Sequence, residues 1–254
     1  MTPVRMTPVL MDGLDEAGLT ARLGLPRVVL LDRVTSTMDE AHVLASDGAS
    51  AGTLVLANEQ TAGRGRGGNR WSSGSGRGLW FTLLERPESA SGLDVLSLRA
   101  GLSLAPALEP FSHDTVQVKW PNDLYAGERK LGGILIEARW REQRPDWVSI
   151  GVGVNIAAPV DVPGAAGLVP GVDRLQLLGV LVPALRAATA LRGPLSREEL
   201  AEFECRDFAR GRECTAPAAG VAQGITHDGA LIIMSARGAT HVRGGSLAFA
   251  GDAR

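Results

Sequence analysis

The chain of 254 residues has 44% hydrophobic residues, 26 basic and 28 acidic side chains, and a formal net charge of −2 at pH 7. A surface built for the polyphosphate of nucleic acid would be strongly basic, so this balance argues against nucleic-acid binding. No apolar run approaches the roughly 20 residues of a membrane span, and Met1–Asp15 lacks a secretion-signal pattern, so we expect a cytoplasmic protein without membrane association. The two cysteines have no neighbours at zinc-ligand spacing, so no metal ligands are assigned.

Residues 1–27 are predicted to form a short leader. They hold one candidate helix, Leu14–Leu23, and are too few for a helix-turn-helix domain with its own core, so DNA binding is not expected. Further along, Thr37 and Glu40 have the spacing of a capping box. They predict a helix that begins there and runs to about Asp47.

The chain up to residue 209 alternates strand and helix patterns. Apolar and aromatic runs predict strands, apolar residues at helical spacing predict helices, and Pro- and Gly-rich stretches predict loops. The predicted strands are Val28–Leu31, Thr53–Ala57, Leu79–Leu84, Val116–Lys119, Gly132–Ala138 and Trp147–Ile156, the last two joined by a polar turn at Arg141–Asp146. The other predicted helices are Leu93–Leu108, Asp173–Leu191 and Ser196–Ala209, with a mobile loop at Val160–Val172.

From residue 210 onward the pattern changes to short strands separated by turns. The candidates are Cys214–Ala216, Gly220–Thr226, Ala230–Ser235 and Ala239–Arg243. We therefore expect a main domain over residues 28–209 and a small appended β-barrel over residues 210–254.

The segment Gly63–Trp71, called the glycine segment below, reads Gly-Arg-Gly-Arg-Gly-Gly-Asn-Arg-Trp. Its glycines let backbone N–H groups approach an anion, and Arg64 and Arg66 bring permanent positive charge to the same place. The Gly-Lys-Ser/Thr ending of a Walker A loop is missing, so a nucleotide would be held differently. A solvated turn is one alternative, and an RNA-binding arginine-glycine segment is a weaker one, because such segments are long, repeated and disordered.

A second motif covers Lys119–Tyr125 and Arg129–Leu135. Lys130 stands next to a Gly-Gly pair, where a backbone can come close to a ligand, and this favours a functional lysine over an ordinary surface one. Asp123 either orients a lysine, caps the turn or helps to hold magnesium. Asn122 is a candidate donor to a ligand.

Several further residues have both a structural and a functional interpretation. Ser36 and Thr37 are typical helix caps, and the same position at a helix start also suits a ligand contact. Trp71 and Trp120 are either core aromatics or a stacking surface, with Trp71 the better functional candidate. Asn155 is either a turn residue or a polar ligand contact. The four histidines have no sequence partner that suggests a triad or a metal site, and they are interpreted as structural or exposed.

The order and spacing of these motifs resemble those of the biotin protein ligases, from about Val28 to Phe249. The resemblance rests on Ser36-Thr37, Gln60, Gly63–Arg66, Trp71, Lys119–Asp123, Arg129–Leu135 and Gly151–Asn155. It implies an α+β fold with a mixed β-sheet backed by helices. That fold is class II synthetase-like and related to the lipoate ligases, with an SH3-like β-barrel at the C-terminus.

The resemblance also implies a reaction and its participants. In this family the biotin carboxylate attacks the α-phosphate of ATP, with Mg²⁺, and leaves biotinyl-5′-AMP. A lysine of a biotin carboxyl carrier protein, such as that of acetyl-CoA carboxylase, then takes the biotin. The residues implied in biotin binding are Ser36, Thr37, Gln60, Gly63, Arg64, Gly65, Arg66, Lys130, Gly132 and Gly133. Those implied in nucleotide binding are Arg66, Trp71, Asn122, Lys130 and Asn155, with Lys130 and Arg66 as the catalytic residues.

Electrostatics supports a role for these two cations independently. A carboxylate and a triphosphate repel each other, and Arg66, Lys130 and magnesium offset that repulsion. The adenylate must also be kept from water until the acceptor arrives. We therefore expect Gly63–Arg70 to be mobile without ligand and to order over it.

Two other functions remain as alternatives. A lipoate or octanoate ligase or transferase would share the fold and the acyl-transfer chemistry, but its usual Arg-Arg and Ser-Gly-Gly signature is missing here. A non-catalytic sensor of biotin or nucleotide is disfavoured, because a sensor does not need both Arg66 and Lys130 at the reacting centre. The resemblance allows either a monomer or a homodimer.

Overall fold

A seven-stranded mixed sheet forms the centre of the computed structural model, which describes residues 8–251. Its strands lie in the spatial order β1 (Arg27–Val34), β2 (Thr53–Gln60), β5 (Gly78–Glu85), β9 (Arg144–Asn155), β8 (Arg129–Arg141), β7 (Asp123–Ala126) and β6 (Val116–Lys119). β1 and β2 are parallel, and the other neighbours are antiparallel. The predicted mixed sheet is confirmed.

Helices lie on both faces of this sheet. They are α1 (Glu16–Leu23), α2 (Thr37–Ser46), α3 (Leu96–Leu108), α4 (Arg174–Ala190) and α5 (Arg197–Arg206). Phe81 of β5 belongs to the main core together with buried leucines of α3 and α4. Its neighbour Thr82 points to the opposite face and bonds to Thr37 at the start of α2. Along residues 8–251, no helix is both long and apolar enough to cross a membrane.

A second, five-stranded antiparallel sheet follows α5. Its spatial order is β13 (Gly238–Val242), β12 (Leu231–Ser235), β11 (Gly220–Ile225), β10 (Glu213–Ala216) and β14 (Ala248–Phe249). The predicted small C-terminal β-domain is thus present as an antiparallel sheet, and within the described part of the chain its two edge strands, β13 and β14, do not pair with each other. Trp120 connects it to the main sheet by donating from Nε1 to the Gly229 carbonyl (2.9 Å).

The beginning and end of the described chain share one core with the main sheet. Met11 and Leu19, both fully buried, belong to the same hydrophobic cluster as Ile233 and Leu247 of the small sheet. Contiguous burial of this kind means that the leader segment and the small sheet contribute to the stability of the whole.

Three local predictions are corrected. The N-cap of α2 is Ser36, whose Oγ accepts from the Met38 N–H (3.2 Å), so the predicted Thr37–Glu40 capping box does not form. The turn between β8 and β9 is shorter than Arg141–Asp146, because both strands extend and Glu142 adopts a positive φ of 56°. The set of predicted strands is also incomplete, because the second motif contains a short strand, β7, that it lacks.

Candidate active site

One cleft, here called the main cavity, opens between the main sheet and the glycine segment, with an empty volume of about 900 Å³ including its mouth. The start of α2 lies at one side, and Ser246 and Leu247, in the loop that leads into β14, lie at another. Its lining includes ten of the predicted site residues: Ser36, Thr37, Gln60, Arg64, Gly65, Arg66, Trp71, Asn122, Lys130 and Gly133. The fold therefore brings together residues of both sequence motifs and of α2.

The polar end of the main cavity is a hydrogen-bond network centred on Thr37 and Gln60. Thr37 donates to Oε1 of Gln60 from its backbone N–H (2.9 Å) and from Oγ1 (3.2 Å). Gln60 in turn donates from Nε2 to Oγ of Ser73 (2.8 Å). Oγ1 of Thr37 also lies 2.9 Å from Oγ1 of Thr82, on the neighbouring strand. A polar ring system bound here would exchange these internal bonds for its own.

The cationic end is centred on Lys130. Its Nζ lies 2.7 Å from Oδ1 of Asp123 and 5.2 Å from the centroid of the Trp71 ring. Of the roles considered for Asp123, the geometry favours orienting the lysine. The ammonium is held at the cavity wall with one carboxylate partner, and an incoming anion can approach from the open side.

Trp71 lies on a surface made by two glycines. Gly133 of β8 and Gly153 of β9 are register partners. A Cβ atom at Gly153 would lie 2.6 Å from Nε1 of Trp71, and one at Gly133 would lie 3.0 Å from Cζ3. The ring thus occupies the space that these glycines leave, the same space that the sequence interpretation gave to biotin at Gly133.

Two predicted glycines are needed for packing and lie outside the lining of the main cavity. A Cβ atom at Gly132 would lie 2.9 Å from the carbonyl oxygen of Gly153. A Cβ atom at Gly63 would lie 2.6 Å from the carbonyl oxygen of Trp71. Backbone crowding therefore accounts for glycine at both positions, and their predicted contacts with biotin stay predictions.

The glycine segment forms a small hairpin over the main cavity. Its ends pair as β3 (Gly63–Arg64) and β4 (Arg70–Trp71). Gly65 N–H donates to the Asn69 carbonyl (2.8 Å). At the tip, Arg66 donates from Nη1 to the Gly245 carbonyl in the loop between β13 and β14 (2.5 Å). The predicted catalytic arginine is thus held against a loop of the C-terminal region.

The two predicted asparagines occupy different places. Asn122 lines the main cavity, but its Nδ2 donates to the Ile134 carbonyl (2.8 Å). Asn155 is 4% exposed and donates to the Ala166 carbonyl (3.1 Å). It lines a second, smaller cleft together with Trp80. The Trp80 ring meets Trp71 edge to face with centroids 6.4 Å apart, so the two clefts adjoin through this aromatic pair.

Some residues of the site were missed from the sequence. Thr82 is fully buried in an otherwise apolar strand, and a polar residue in such a run is the one available signal, because a buried hydroxyl needs a partner. Ser246 and Leu247 lie near the C-terminal end, where the sequence only approximates the pattern of the family that it resembles, so they were not assigned to the site. Within the described residues, no group of three or more His, Cys, Asp or Glu side chains is arranged to hold a metal ion.

Known proteins resemble this chain in sequence. Residues 30–155 match the biotin/lipoate A/B protein ligase family. The biotin–[acetyl-CoA-carboxylase] ligase of Paracoccus denitrificans is 32% identical over 244 residues, which cover 87% of this chain and all of that protein. The bifunctional ligase/repressor BirA of Bacillus subtilis is 36% identical over 148 residues, which cover 58% of this chain and 46% of BirA. The chain thus spans about half the length of that relative.

Solved structures agree with the fold. The biotin protein ligase of Aquifex aeolicus in complex with biotin and ATP superposes with a TM-score of 0.72 at 28% identity, covering 89% of this chain and 100% of that chain. The biotin protein ligase of Leishmania major in complex with biotinyl-5-AMP gives a TM-score of 0.58 at 27% identity, covering 85% and 98%. Given this similarity along nearly its whole length, the chain belongs to the biotin protein ligase family.

Proposed function

We propose that this protein is an ATP-dependent ligase that activates biotin as biotinyl-5′-AMP and transfers it to a lysine of a carrier protein. The observation that carries the proposal is the placement of Lys130 and Arg66 in the wall of the same cavity as the Thr37–Gln60 network. A molecule with a polar ring at one end and a carboxylate at the other spans these two regions, as biotin does.

The first step needs cations where two anions meet. One carboxylate oxygen attacks the α-phosphorus, the bond to the bridging oxygen breaks, and pyrophosphate leaves with the electron pair. Lys130 and Arg66 line the region where both reactants carry negative charge, and such charges stabilise the transition state more than the separated reactants. Arg66 has to exchange its bond to the Gly245 carbonyl for a bond to phosphate.

The nucleotide is proposed to extend from Lys130 past Trp71 towards the smaller cleft. Trp71 offers a ring face near the lysine, and the smaller cleft contains Asn155 and the buried ring of Trp80. None of the described residues accepts a hydrogen bond from the buried Nε1 of Trp71 or of Trp80. Because both N–H groups are buried, the nucleoside is proposed to contact Trp71 through the ring and not through its N–H.

Magnesium is proposed to enter with ATP. Asp123 is the carboxylate that lines the main cavity, and its Oδ1 is already paired with Lys130. This donor set does not make a magnesium site of its own, and Mg²⁺ is commonly held by one carboxylate together with substrate phosphates.

In the second step, the neutral amine of an acceptor lysine attacks the acyl carbonyl, AMP leaves, and the amine loses a proton. The proposed acceptor is a biotin carboxyl carrier protein domain of acetyl-CoA carboxylase, a substrate that the name of the Paracoccus relative indicates. Carrier domains of this kind would place the reaction in the cytoplasm.

The test is exchange of labelled pyrophosphate into ATP in the presence of biotin, lipoate or octanoate. Exchange with biotin alone is expected. Exchange with lipoate alone would assign the chain to the lipoate branch of the family. A folded protein that binds biotin without exchange would be a sensor, the alternative from a different functional class.

A further inference from the structure

Arg64, at the root of the glycine segment, is held on the outer side of the main cavity. Its Nη1 lies 2.7 Å from Oδ1 of Asp39 on α2, and its Nη2 is hydrogen-bonded to Oε1 of Glu137 on β8. Both nitrogens therefore point at carboxylates of the scaffold. Arg64 therefore connects the glycine segment to α2 and to β8.

Glu137 is itself held by a second partner. Its Oε2 lies 3.0 Å from Nε2 of His42, whose side chain is 12% exposed. On the other side of the ring, Trp147 of β9 donates from Nε1 to Nδ1 of His42 (2.9 Å). A chain of contacts thus runs from Trp147 through His42 and Glu137 to Arg64, and we call these four residues the clasp.

The clasp requires one protonation state of His42. An indole N–H only donates, so Nδ1 of His42 has to accept, and Nε2 then carries the hydrogen that is donated to Glu137. Protonation of Nδ1 would place a second hydrogen against the Trp147 N–H across 2.9 Å. The neutral ring is therefore the form that completes the chain of hydrogen bonds.

We propose that Glu137 and His42 are positioning residues for the ligation: through Arg64 they hold the root of the glycine segment in place over the main cavity. This inference rests on the function proposed above. In this arrangement only the tip, Arg66–Asn69, has to rearrange when ligands bind. The root remains fixed, and the adenylate is enclosed by closing a short span of chain.

The clasp predicts a pH dependence with a definite sign. Burial lowers the pKa of His42, the carboxylate of Glu137 opposes this, and the guanidiniums of Arg139 and Arg64 add to the lowering. The other groups against the ring are Trp147 and the Ser149 hydroxyl, with Arg86 stacked over the far side of Trp147. When the segment opens, Arg64 leaves and one of the cations that lower the pKa of His42 is removed, so the open form binds a proton more readily and acidification favours it.

The experiment uses four variants of the full chain. Glu137→Gln removes the charge, and His42→Phe removes both ring nitrogens. His42→Gln keeps a donor and an acceptor that do not titrate. Glu204→Gln breaks an exposed ion pair with Arg210 on the other side of the protein and serves as the matched control.

Two quantities are measured for each variant at pH 8 and pH 6. The first is the rate of tryptic cleavage after Arg64 in the ligand-free protein, which reports release of the root because trypsin must bind the Arg64 side chain. The second is the rate at which biotinyl-adenylate is released, and thermal unfolding serves as the check that each variant is folded.

At pH 8 we expect Glu137→Gln and His42→Phe to be cleaved and to release adenylate about fivefold to tenfold faster, the effect of one partly buried charged contact. Wild type should approach them at pH 6, and His42→Gln should resemble wild type at pH 8 without the change at pH 6. If the variants are folded and show wild-type rates of cleavage and adenylate release at both pH values, the proposed role of the clasp is wrong. Absence of pyrophosphate exchange in wild type would instead overturn the proposed function, and the cleavage data would still decide the clasp.

Discussion

The Nζ atom of Lys130 lies 2.7 Å from Oδ1 of Asp123, and this pair stands at the wall of the main cavity. The side chain of the lysine is 35% exposed, so the ion pair contributes little to folding. The ion pair instead positions Lys130, because it fixes the direction of a flexible side chain whose charge is needed at the reacting phosphate.

Replacement of Lys130 by alanine should therefore affect chemistry far more than stability. Loss of one charge that stabilises the transition state typically lowers the rate by about 100-fold or more. We expect a loss of this size in single-turnover adenylate formation, with a melting temperature close to that of wild type. Arg129→Ala, an exposed cation one residue earlier, is the control and should keep its rate. An unchanged rate in Lys130→Ala would remove this residue from the reaction.

A second prediction concerns the glycine surface under Trp71. In Gly153→Ala the new methyl group would lie 2.6 Å from Nε1 and 2.7 Å from Cε2 of Trp71, so the ring has to move. Overpacking of this kind typically costs about 1–3 kcal/mol, and displacement of the ring should weaken ATP binding several-fold. Calorimetric titration with ATP and urea unfolding measure the two effects.

Gly179→Ala is the matched control for that substitution. Gly179 is inside α4, and apart from the neighbouring backbone of the helix itself no atom of the described residues lies within 4 Å of a Cβ placed there. It should raise stability by up to about 1 kcal/mol through helix propensity and leave ATP binding unchanged. Wild-type ATP affinity in Gly153→Ala would show that the position of Trp71 does not matter for the nucleotide.

The convergence of Arg66, Trp71 and Lys130 on one cavity was predictable because each belongs to a motif with a characteristic spacing. The strands around them were predictable from apolar runs, although the short strand β7 was hidden inside a polar motif. The contact between Arg66 and Gly245 was not predictable, because 179 residues separate the partners and no local pattern encodes their meeting. The same holds for His42 and Glu137, which are 95 residues apart.

Glycine positions show a related limit. Sequence reasoning interpreted Gly132 and Gly133 as space for a ligand, because glycine permits close approach. In the structure, a backbone carbonyl crowds the first and the Trp71 ring covers the second. The sequence indicated that a side chain would not fit at these two positions. It could not show which atoms fill the space instead, because that depends on the register of β8 with β9, which only the fold defines.

Arg66 yields a third prediction. Its Nη1 donates to the Gly245 carbonyl, so the residue connects the tip of the glycine segment to the loop between β13 and β14. Arg66→Ala removes both this connection and a cation at the phosphate. We expect slower adenylate formation and faster escape of the adenylate that is formed, measured as biotin attached to lysines of a bystander protein. Arg33→Ala, an exposed cation on β1, should behave like wild type. Bystander labelling equal to that of wild type would contradict a retaining role for Arg66.

The last prediction concerns Asp207, which is 7% exposed and follows α5. Its Oδ1 accepts from the Ala209 N–H (2.8 Å), and none of the described residues donates to Oδ2. Burial raises the pKa of this carboxyl to about 6, a rise that the Ala209 N–H and Arg210 only partly oppose. A carboxyl with a raised pKa stabilises the fold most when protonated, so this contribution is present below about pH 4 and is lost as the pH rises through about 6.

Asp207→Asn should therefore stabilise the protein at pH 8, where the wild-type carboxylate is charged and buried. The amide keeps an acceptor for the Ala209 N–H and carries no charge, so the gain in unfolding free energy should reach a limit of about 3 kcal/mol. The gain should shrink as the pH falls from 6 to 4, because the wild-type carboxyl then becomes neutral as well. Urea unfolding at pH 8, 6 and 4.5 measures it, with Asp114→Asn at an exposed turn as the control. An equal gain in unfolding free energy at all three pH values would mean that the charge of Asp207 does not destabilise the folded protein.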